Sequence, residues 1–451
     1  MRCLIGLDDT DSSLGHCTTH LGFQIVQALT KAGCLFEAYP RLVRLNPNVP
    51  FKTRGNAAVC IEFDSRDPSC AFEIAQSLML HDADVANGAN SGLVFLDKPP
   101  PRIFEQIYSE AVSGLLNHHR VMKALVHAQV LHSTLGNGMG VVGAAASLGF
   151  PSASDHTYEL IAYRSPEMCG RPRVVDVRSV KRMERATFPH TFNNYDHQTE
   201  RILITPHGPD PVFLGIRADS PEVALGAFRM IGYDELLAGH LIYRSNQCTD
   251  AHLNSRLTIP PKAYYCGWAE GTIRGVTSGE GGHLYIDLDV GSGNTLGCAV
   301  YEPSRDLRKM MGALALGDKV RVFGGMRRPT SRHPSILNVE KVEVLSVAPA
   351  LRMVSPLCKS CGKSMKSEGS GKGFQCRRCG SERITRSKTI VRSDRALVPG
   401  IYLPSPGAQR HLTKQLIRYG KELSNLHPLI DDWCVGSAAI RPLPVLGRSR
   451  R

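Results

Sequence analysis

Leu7-Asp8-Asp9-Thr10-Asp11 closes the first apolar run of the chain, and after a short polar loop Thr18-Thr19 opens the next segment. Leu21, Ile25, Val26 and Leu29 then recur at helical spacing, Gly33 can supply a left-handed stop, and Thr18 or Thr19 can cap the start. The stretch reads as strand, loop and helix. Three carboxylates within four positions repel one another, so a fold that keeps them together usually supplies a cation, and magnesium is the expected one. Free N–H groups at a helix start favour phosphate. Acids at a strand end beside a helix start fit a magnesium-bound nucleotide; a solvated acidic turn with an ordinary cap is the plainer alternative. No GxxxxGK[ST] pattern is present here, so the segment is not a P-loop.

The 451 residues suffice for about three or four domains. No apolar run approaches the roughly 18 residues of a membrane span, and the N-terminus lacks a basic segment followed by an apolar signal core. A cytoplasmic protein without membrane association is expected, and no obligate protein partner is evident. The net charge of +13 is unevenly placed: residues 352–451 carry 20 Lys and Arg against 6 Asp and Glu, whereas residues 1–351 carry 34 against 35. A basic terminal fifth on a neutral body is the pattern of a polyanion-binding appendage, with nucleic acid as the favoured partner.

Ten of the 14 cysteines are scattered singly between Cys3 and Cys434 and read as reduced, mostly buried thiols. The other four form two knuckles, Cys358-x2-Cys361 and Cys376-x2-Cys379, 14 residues apart. Paired CxxC turns can surround one tetrahedral zinc, with a hairpin joining them. Four sulfurs leave no open position for substrate, so this zinc is structural, and a module of about 30 residues depends on it for stability. Lys359, Lys363, Lys366, Lys372, Arg377 and Arg378 lie on or beside the knuckles and give the ribbon a basic surface.

Residues 1–155 alternate strand-like and helix-like segments, an α/β pattern. Within them the irregular loop Arg44–Asn56 precedes a strand at Ala57–Phe63, and Lys52 and Arg54 are placed to face a triphosphate. Gly136-Asn137-Gly138-Met139-Gly140 can offer N–H groups to phosphate or serve tight helix packing. Residues 156–255 repeat strand–helix alternation, with strands at Tyr158–Arg164, Arg201–Thr205 and Val212–Ile216 and a helix start at Ser220-Pro221-Glu222; a ferredoxin-like unit is expected. Phe188–Asp196, dense in polar and aromatic residues, is either a contact loop or a hydrogen-bonded structural one. Residues 260–350 carry short strands, glycine turns and one helix near Asp306–Leu314, as in an OB-fold barrel. A zinc ribbon spans 355–385, and the basic region 386–451 holds an expected helix with Leu416, Ile417, Tyr419 and Leu423.

Ile5–Thr19, Arg44–Asn56, Phe188–Asp196, Pro206–Asp210, Arg244–His252 and the four-cysteine ribbon, in this order, resemble the archaeal isoleucine tRNA 2-agmatinylcytidine synthetases. The resemblance covers almost the whole chain. It implies a multidomain α+β architecture: a kinase-like catalytic domain, a ferredoxin-like domain, an OB-fold and a zinc ribbon with a basic tail. It implies ATP, magnesium and zinc as cofactors, agmatine as co-substrate and isoleucine tRNA as partner. The implied reaction activates the C2 carbonyl oxygen of the wobble cytidine with ATP and replaces it with agmatine, so that the anticodon reads AUA. Asp8, Asp9 and Asp11 then serve magnesium and phosphate chemistry, Thr18 accepts phosphate, and Lys52, Arg54, Asn56, His207 and Asp210 contact the nucleotide or agmatine. Asp196, Asp210 and Asp250 are candidate partners for the agmatine guanidinium. Three positions depart from the family pattern, Gln409 for histidine, Gln415 for proline and Cys248 for glycine. From the residues alone, a magnesium-dependent nucleic-acid phosphoesterase and a non-catalytic RNA-binding protein remain alternatives.

Overall fold

The computed structural model describes residues 1–331, 334–380, 388–393 and 395–436; the far end of the basic tail and part of the segment after the second knuckle lie outside them. In chain order the first unit contains β1 (Arg2–Asp8), α1 (Thr18–Lys31), β2 (Arg41–Arg44), β3 (Ala57–Asp64), α2 (Pro68–Asp82), β4 (Gly92–Leu96), α3 (Ile103–Ser113), α4 (His118–His127), β5 (Leu131–Thr134) and α5 (Val141–Leu148). The strands lie in the order β5-β4-β1-β3-β2. Side chains of β1 alternate between faces: Cys3, Ile5 and Leu7 join the core with α1 and α2, and Leu4 joins the core with α3, α4 and α5. The predicted strand–helix alternation is present, yet these strands pair antiparallel throughout. β2 and β3, for example, are joined by a loop and need no crossover helix.

The second unit contains β6 (Thr157–Arg164), α6 (Val177–Thr187), β7 (Thr191–Phe192), β8 (Tyr195–Asp196), β9 (Arg201–Ile202), β10 (Val212–Ala218), α7 (Pro221–Arg229) and β11 (Leu237–Ser245). Its sheet order is β11-β6-β10-β7, while β8 and β9 pair only with each other. Ser220 caps α7 as its sequence predicts, accepting from the Val223 N–H at 3.3 Å. The two units share one sheet, because β11 runs parallel to β2 through Arg244↔Arg41 and Ser245↔Leu42. Beyond that short ladder, the Asn246 side chain acts as a surrogate strand. Its Oδ1 accepts from Arg44 N at 2.7 Å, and its Nδ2 donates to Arg44 O at 2.8 Å and to Tyr108 Oη at 3.2 Å.

Next come β12 (Cys266–Ser278), β13 (Leu284–Gly291), β14 (Asn294–Val300), α8 (Asp306–Met311), β15 (Lys319–Arg327) and β16 (Ile336–Ser346). The ladder β14-β13-β12-β15-β16 closes on itself through parallel β14–β16 pairing, around a separate apolar core. β14 escapes the sequence reading because it follows the Gly-Ser-Gly-Asn turn directly and carries little apolar periodicity. β17 (Ala350–Val354) pairs with β20 (Thr389–Ser393), and between them β18 (Lys366–Ser367) and β19 (Phe374–Gln375) form the hairpin that joins the cysteine knuckles. β21 (Gly400–Tyr402) extends the barrel sheet beside β16, and β22 (Cys434–Gly436) pairs with β11. No described helix is long and apolar enough to cross a membrane.

The tail departs most from expectation. Instead of a basic helix at 416–423, a single 3-10 turn, Leu416–Arg418, interrupts an extended strap. Lys414 pairs with Asp155 at 3.2 Å and with Glu422, and Arg418 pairs with Asp155 at 2.7 Å. Long-range ion pairs and backbone bonds such as Cys248 N to His411 O (2.9 Å) hold the strap extended, which overrides a weak local helical preference. Two of the tail's cations are thus spent internally. The departures from the family pattern meet here: Gln415 Nε2 donates to Gln409 Oε1 at 3.3 Å, and Asn193 Nδ2 donates to the same oxygen at 2.9 Å. Cys248 has φ of +58°, the left-handed region in which glycine is unstrained.

Replacing Asn246 by Ala leaves both Arg44 backbone groups without their partner. It is expected to destabilise the protein by roughly 2–4 kcal/mol in chemical denaturation, whereas Tyr108→Phe, which removes one outer contact, costs about 1 kcal/mol or less.

Candidate active site

A cavity of about 340 Å³ opens over the junction of the two units. Asp8, Asp9, Asp11 and Thr18 line it from the first unit, Glu159, Asp210 and Arg217 from the second, and His411 from the tail. β1 delivers Asp8 on the face covered by α5. A Cβ at Gly143 would lie 1.8 Å from Asp8 Oδ2, so glycine there leaves room for the carboxylate. Glycine in and around 136–143 thus serves close helix packing against β1 and β4, and Met139, Gly140 and Gly143 also line the cavity.

Burial, and secondarily the Asp9 charge, push the Asp8 carboxyl well above its ordinary range. Burial and then Asp11 raise Asp9 to about 6. Burial also raises Asp11, against the opposing attraction of Arg54. Asp9, His16 and Asn56 all have positive φ, so the backbone beside the acids is strained where it turns into and out of the cavity.

The cap of helix α1 lies one residue earlier than the sequence suggests. Cys17 is the N-cap and makes no side-chain cap bond, so neither Thr18 nor Thr19 is the cap. The Thr18 hydroxyl instead accepts from Thr10 Oγ1 at 3.1 Å and from Thr10 N at 3.4 Å, which leaves its own proton free to move. Tyr163 and Tyr243 donate to Thr19 O at 3.0 and 2.7 Å, so the second unit holds the helix start in place.

Lys52, Arg54, Asn56 and Asp210 all line the cavity. Arg54 bonds the carbonyls of Ser12, Gly15 and His16 and lies 3.6 Å from Asp11 and 3.7 Å from Asp210. It therefore clamps the acidic loop to the second unit. Asn56 Nδ2 donates to Asn46 O at 2.8 Å and pins its own loop. His207 is exposed, 3.4 Å from Arg201 Nη2, and is not part of the cavity wall.

The three candidate guanidinium partners are separated by their surroundings. Asp210 faces the cavity, with Arg173 at 3.3 Å as a second partner. Asp196 accepts from Gln198 N at 2.9 Å within its own loop, and Asp250 is consumed by Lys341, Tyr419 and Lys414 N. Neither lines the cavity. Within the Phe188–Asp196 loop Asn194 Nδ2 donates to Thr191 Oγ1 at 2.9 Å, and none of the loop's residues lines the cavity.

Sequence reading missed Glu159, Arg44, Arg217 and His411 as a group. Glu159 receives Arg217 Nε at 3.3 Å, Arg44 Nη2 at 3.9 Å and the Gln247 amide. A lone acid inside the otherwise apolar run Tyr158–Tyr163 was its available signal; His411 had none. His411 is exposed to solvent, and the Arg44 charge first, with Arg217 and Arg410 beside it, holds its imidazole well below the ordinary range, so it is neutral.

Away from this cavity, the Sγ atoms of Cys358, Cys361, Cys376 and Cys379 all lie within 4.8 Å of one another, beside a small core of Met365 and Phe374. Four unbridged thiols at this spacing fit a tetrahedral metal. The six basic residues around them are all exposed.

The raised Asp9 proton affinity has a definite sign. The folded state binds the proton more tightly than the unfolded, so its stabilising contribution is full below about pH 4 and is lost as pH rises through about 6. A cation that relieves this repulsion should raise Tm near pH 7.5 and have little effect near pH 4.5, and Asp9→Asn should remove both the pH step and the magnesium response. Equal thermal shifts at both pH values would reject a cation at these acids.

Three family matches cover parts of the chain: the TiaS TCKD domain over residues 4–67, the TiaS FLD domain over 138–252 and the TiaS C-terminal zinc ribbon domain over 355–397. Over 430 residues the chain is 43% identical to TiaS of Cenarchaeum symbiosum (strain A), an isoleucine tRNA 2-agmatinylcytidine synthetase, with 93% of each covered. It is also similar to the crystal structure of TiaS in complex with its isoleucine tRNA and ATP, with a TM-score of 0.81 and 31% identity over 93% of this chain and 97% of the other. A TiaS complex with the same tRNA, AMPCPP and agmatine matches with a TM-score of 0.79 and 29% identity over the same shares.

Proposed function

The chain belongs to the isoleucine tRNA 2-agmatinylcytidine synthetase family, and from that membership we propose how its cavity performs the reaction. The protein is an ATP-dependent ligase that joins agmatine to the cytidine of an isoleucine tRNA. One observation carries the assignment of the site: the acids and Thr18 of the first unit face Glu159 and Asp210 of the second across a single cavity.

In this reading the first unit, 1–155, is the kinase-like catalytic domain, 156–255 the ferredoxin-like domain, 260–350 the OB-fold, 355–385 the zinc ribbon, and 386–451 the tRNA-binding tail. The βαββαβ order with strands 4-1-3-2 in the second unit, and the closed five-strand ring of the third, support the two middle labels. Asp8 and Asp9 hold magnesium, which neutralises phosphate charge when bound. The uncapped start of α1 presents N–H groups to phosphate. A carbonyl oxygen is a poor leaving group, so transfer of a phosphoryl group from ATP to the cytidine O2 makes it displaceable. The agmatine amine then forms the C2–N bond as the C2–O bond breaks, phosphate departs and the amine loses a proton. Asp11 and Arg54 hold the loop that places Thr18, whose hydroxyl gives up its proton and takes a phosphoryl group from ATP in a transfer separate from that to the cytidine O2. Asp210 meets the guanidinium of agmatine. The base leaves its stack to reach the cavity, and the zinc-bearing ribbon presents its exposed lysines and arginines to the tRNA.

Incubation with the isoleucine tRNA, ATP, magnesium and agmatine should yield agmatine-bearing cytidine by nucleoside mass spectrometry. An unmodified nucleoside from folded, zinc-loaded protein would reject the reading. Asp8→Asn should lower turnover by about 100-fold or more with tRNA affinity retained, and Thr18→Ala should abolish labelling of the protein by radiolabelled ATP. Cys376→Ser should lose zinc and weaken tRNA binding, both measurable on the purified protein.

A further inference from the structure

Where the tail crosses the Arg44–Asn56 loop, a second groove of about 290 Å³ shares Arg44, Lys52, Arg54, Gly55 and His411 with the main cavity. Arg410 lines only the groove, and among the described residues no Asp or Glu lines it. Two of its cations are already engaged, Arg44 by Glu159 and Arg54 by Asp11 and Asp210. Lys52 has no ion-pair partner among the described residues. Arg410 reaches only the edge of Glu340, at 3.9 Å, and the other oxygen of that carboxylate takes His252 at 3.0 Å. Burial, and then the proximity of Arg410, lower the Lys52 pKa, as expected for like charges facing one groove.

The third element is His411. Its Nδ1 lies 2.9 Å from Arg217 Nη2, and a guanidinium can only donate, so Nδ1 accepts and the ring proton sits on Nε2. A Cβ at Gly55 would fall 3.1 Å from that Nε2 and 2.5 Å from Arg44 Nη1. Glycine at this position leaves room for the ring to lie close over the loop. The groove thus offers two uncommitted cations and one neutral N–H donor, a set that suits a phosphate. ATP phosphates have their own place by the acids and the α1 start. A flipped nucleotide, by contrast, must leave its backbone at the rim of the cavity that its base enters.

We propose that Lys52, Arg410 and the Nε2–H of His411 hold the tRNA backbone phosphate beside the cytidine that enters the cavity. The proposal rests on the tRNA-modifying reading above. Each cation contributes to the salt dependence of binding, whereas the neutral imidazole contributes only a hydrogen bond.

The test measures affinity for the isoleucine tRNA across a salt series, and ATP affinity without tRNA, for Lys52→Ala, Arg410→Ala, Arg410→Lys and His411→Ala. Both cation-to-alanine changes should reduce the slope of log K against log salt by about 0.7 to 0.9 each, and Arg410→Lys should restore it. His411→Ala should weaken tRNA binding about 3- to 10-fold with the slope unchanged. ATP affinity should stay within about twofold for Arg410→Ala and Arg410→Lys, whose side chain lies outside the main cavity wall. Loss of ATP affinity with an unchanged tRNA slope assigns the groove to the nucleotide's phosphates and overturns the proposal, as does no change in either affinity. Wild-type protein that conjugates agmatine while these variants bind tRNA normally would reject the groove and keep the function; wild-type protein that cannot conjugate agmatine rejects the function itself.

Discussion

The contact on which the cavity depends is the narrow seam between β2 and β11. Two residue pairs of parallel ladder join the units, and the Asn246 amide continues the pairing by bonding both backbone groups of Arg44. Ser245 Oγ adds a bond to Leu42 O at 2.7 Å. Parallel pairing between distant segments brings little local stabilisation, so buried side-chain bonds carry a large share of the register. If that register slipped by one residue, Arg44 would be displaced from Glu159, and both line the cavity.

Electrostatics divides the cavity into two ends. At one, Asp8, Asp9 and Asp11 are held together against their own repulsion, with Arg54 as the one described cation in ion-pair range of them. At the other, Arg44 and Arg217 share Glu159 and enforce a neutral His411. At the acidic end, burial and repulsion by neighbouring carboxylates raise the proton affinity of all three carboxyls, burial being the larger cause. The basic end is already satisfied internally, which leaves the uncommitted positive charge on the outer groove and on the ribbon.

The tail shows why charge counting alone misplaces function. Residues 352–451 hold the whole basic excess of the chain, but Lys414 and Arg418 are buried against Asp155. They strap the C-terminal segment across the body and so carry His411 to the cavity. Six exposed cations lie instead on or beside the knuckles, where a metal-centred fold displays them without a large apolar core. The strap also places Gln409 and Gln415 in contact, so two of the chain's departures from its family pattern belong to one small hydrogen-bonded site.

By itself the sequence determined what is encoded over a few neighbouring positions. The acid-bearing end of β1, the body of α1, the Ser220 cap and the four-cysteine spacing all follow from local periodicity, capping chemistry and ligand spacing, and the resemblance of the ordered motifs identified the family. Tertiary structure alone decided which groups meet. Asp210 faces the cavity while Asp196 and Asp250 do not, Cys17 and not a threonine is the N-cap of α1, and an expected helix is a strap. Each outcome depends on partners far apart in the chain, as Arg44 and Asn246 are, or Cys248 and His411. Contacts of that range depend on how the sheets join and the tail returns, and the local pattern carries no record of them.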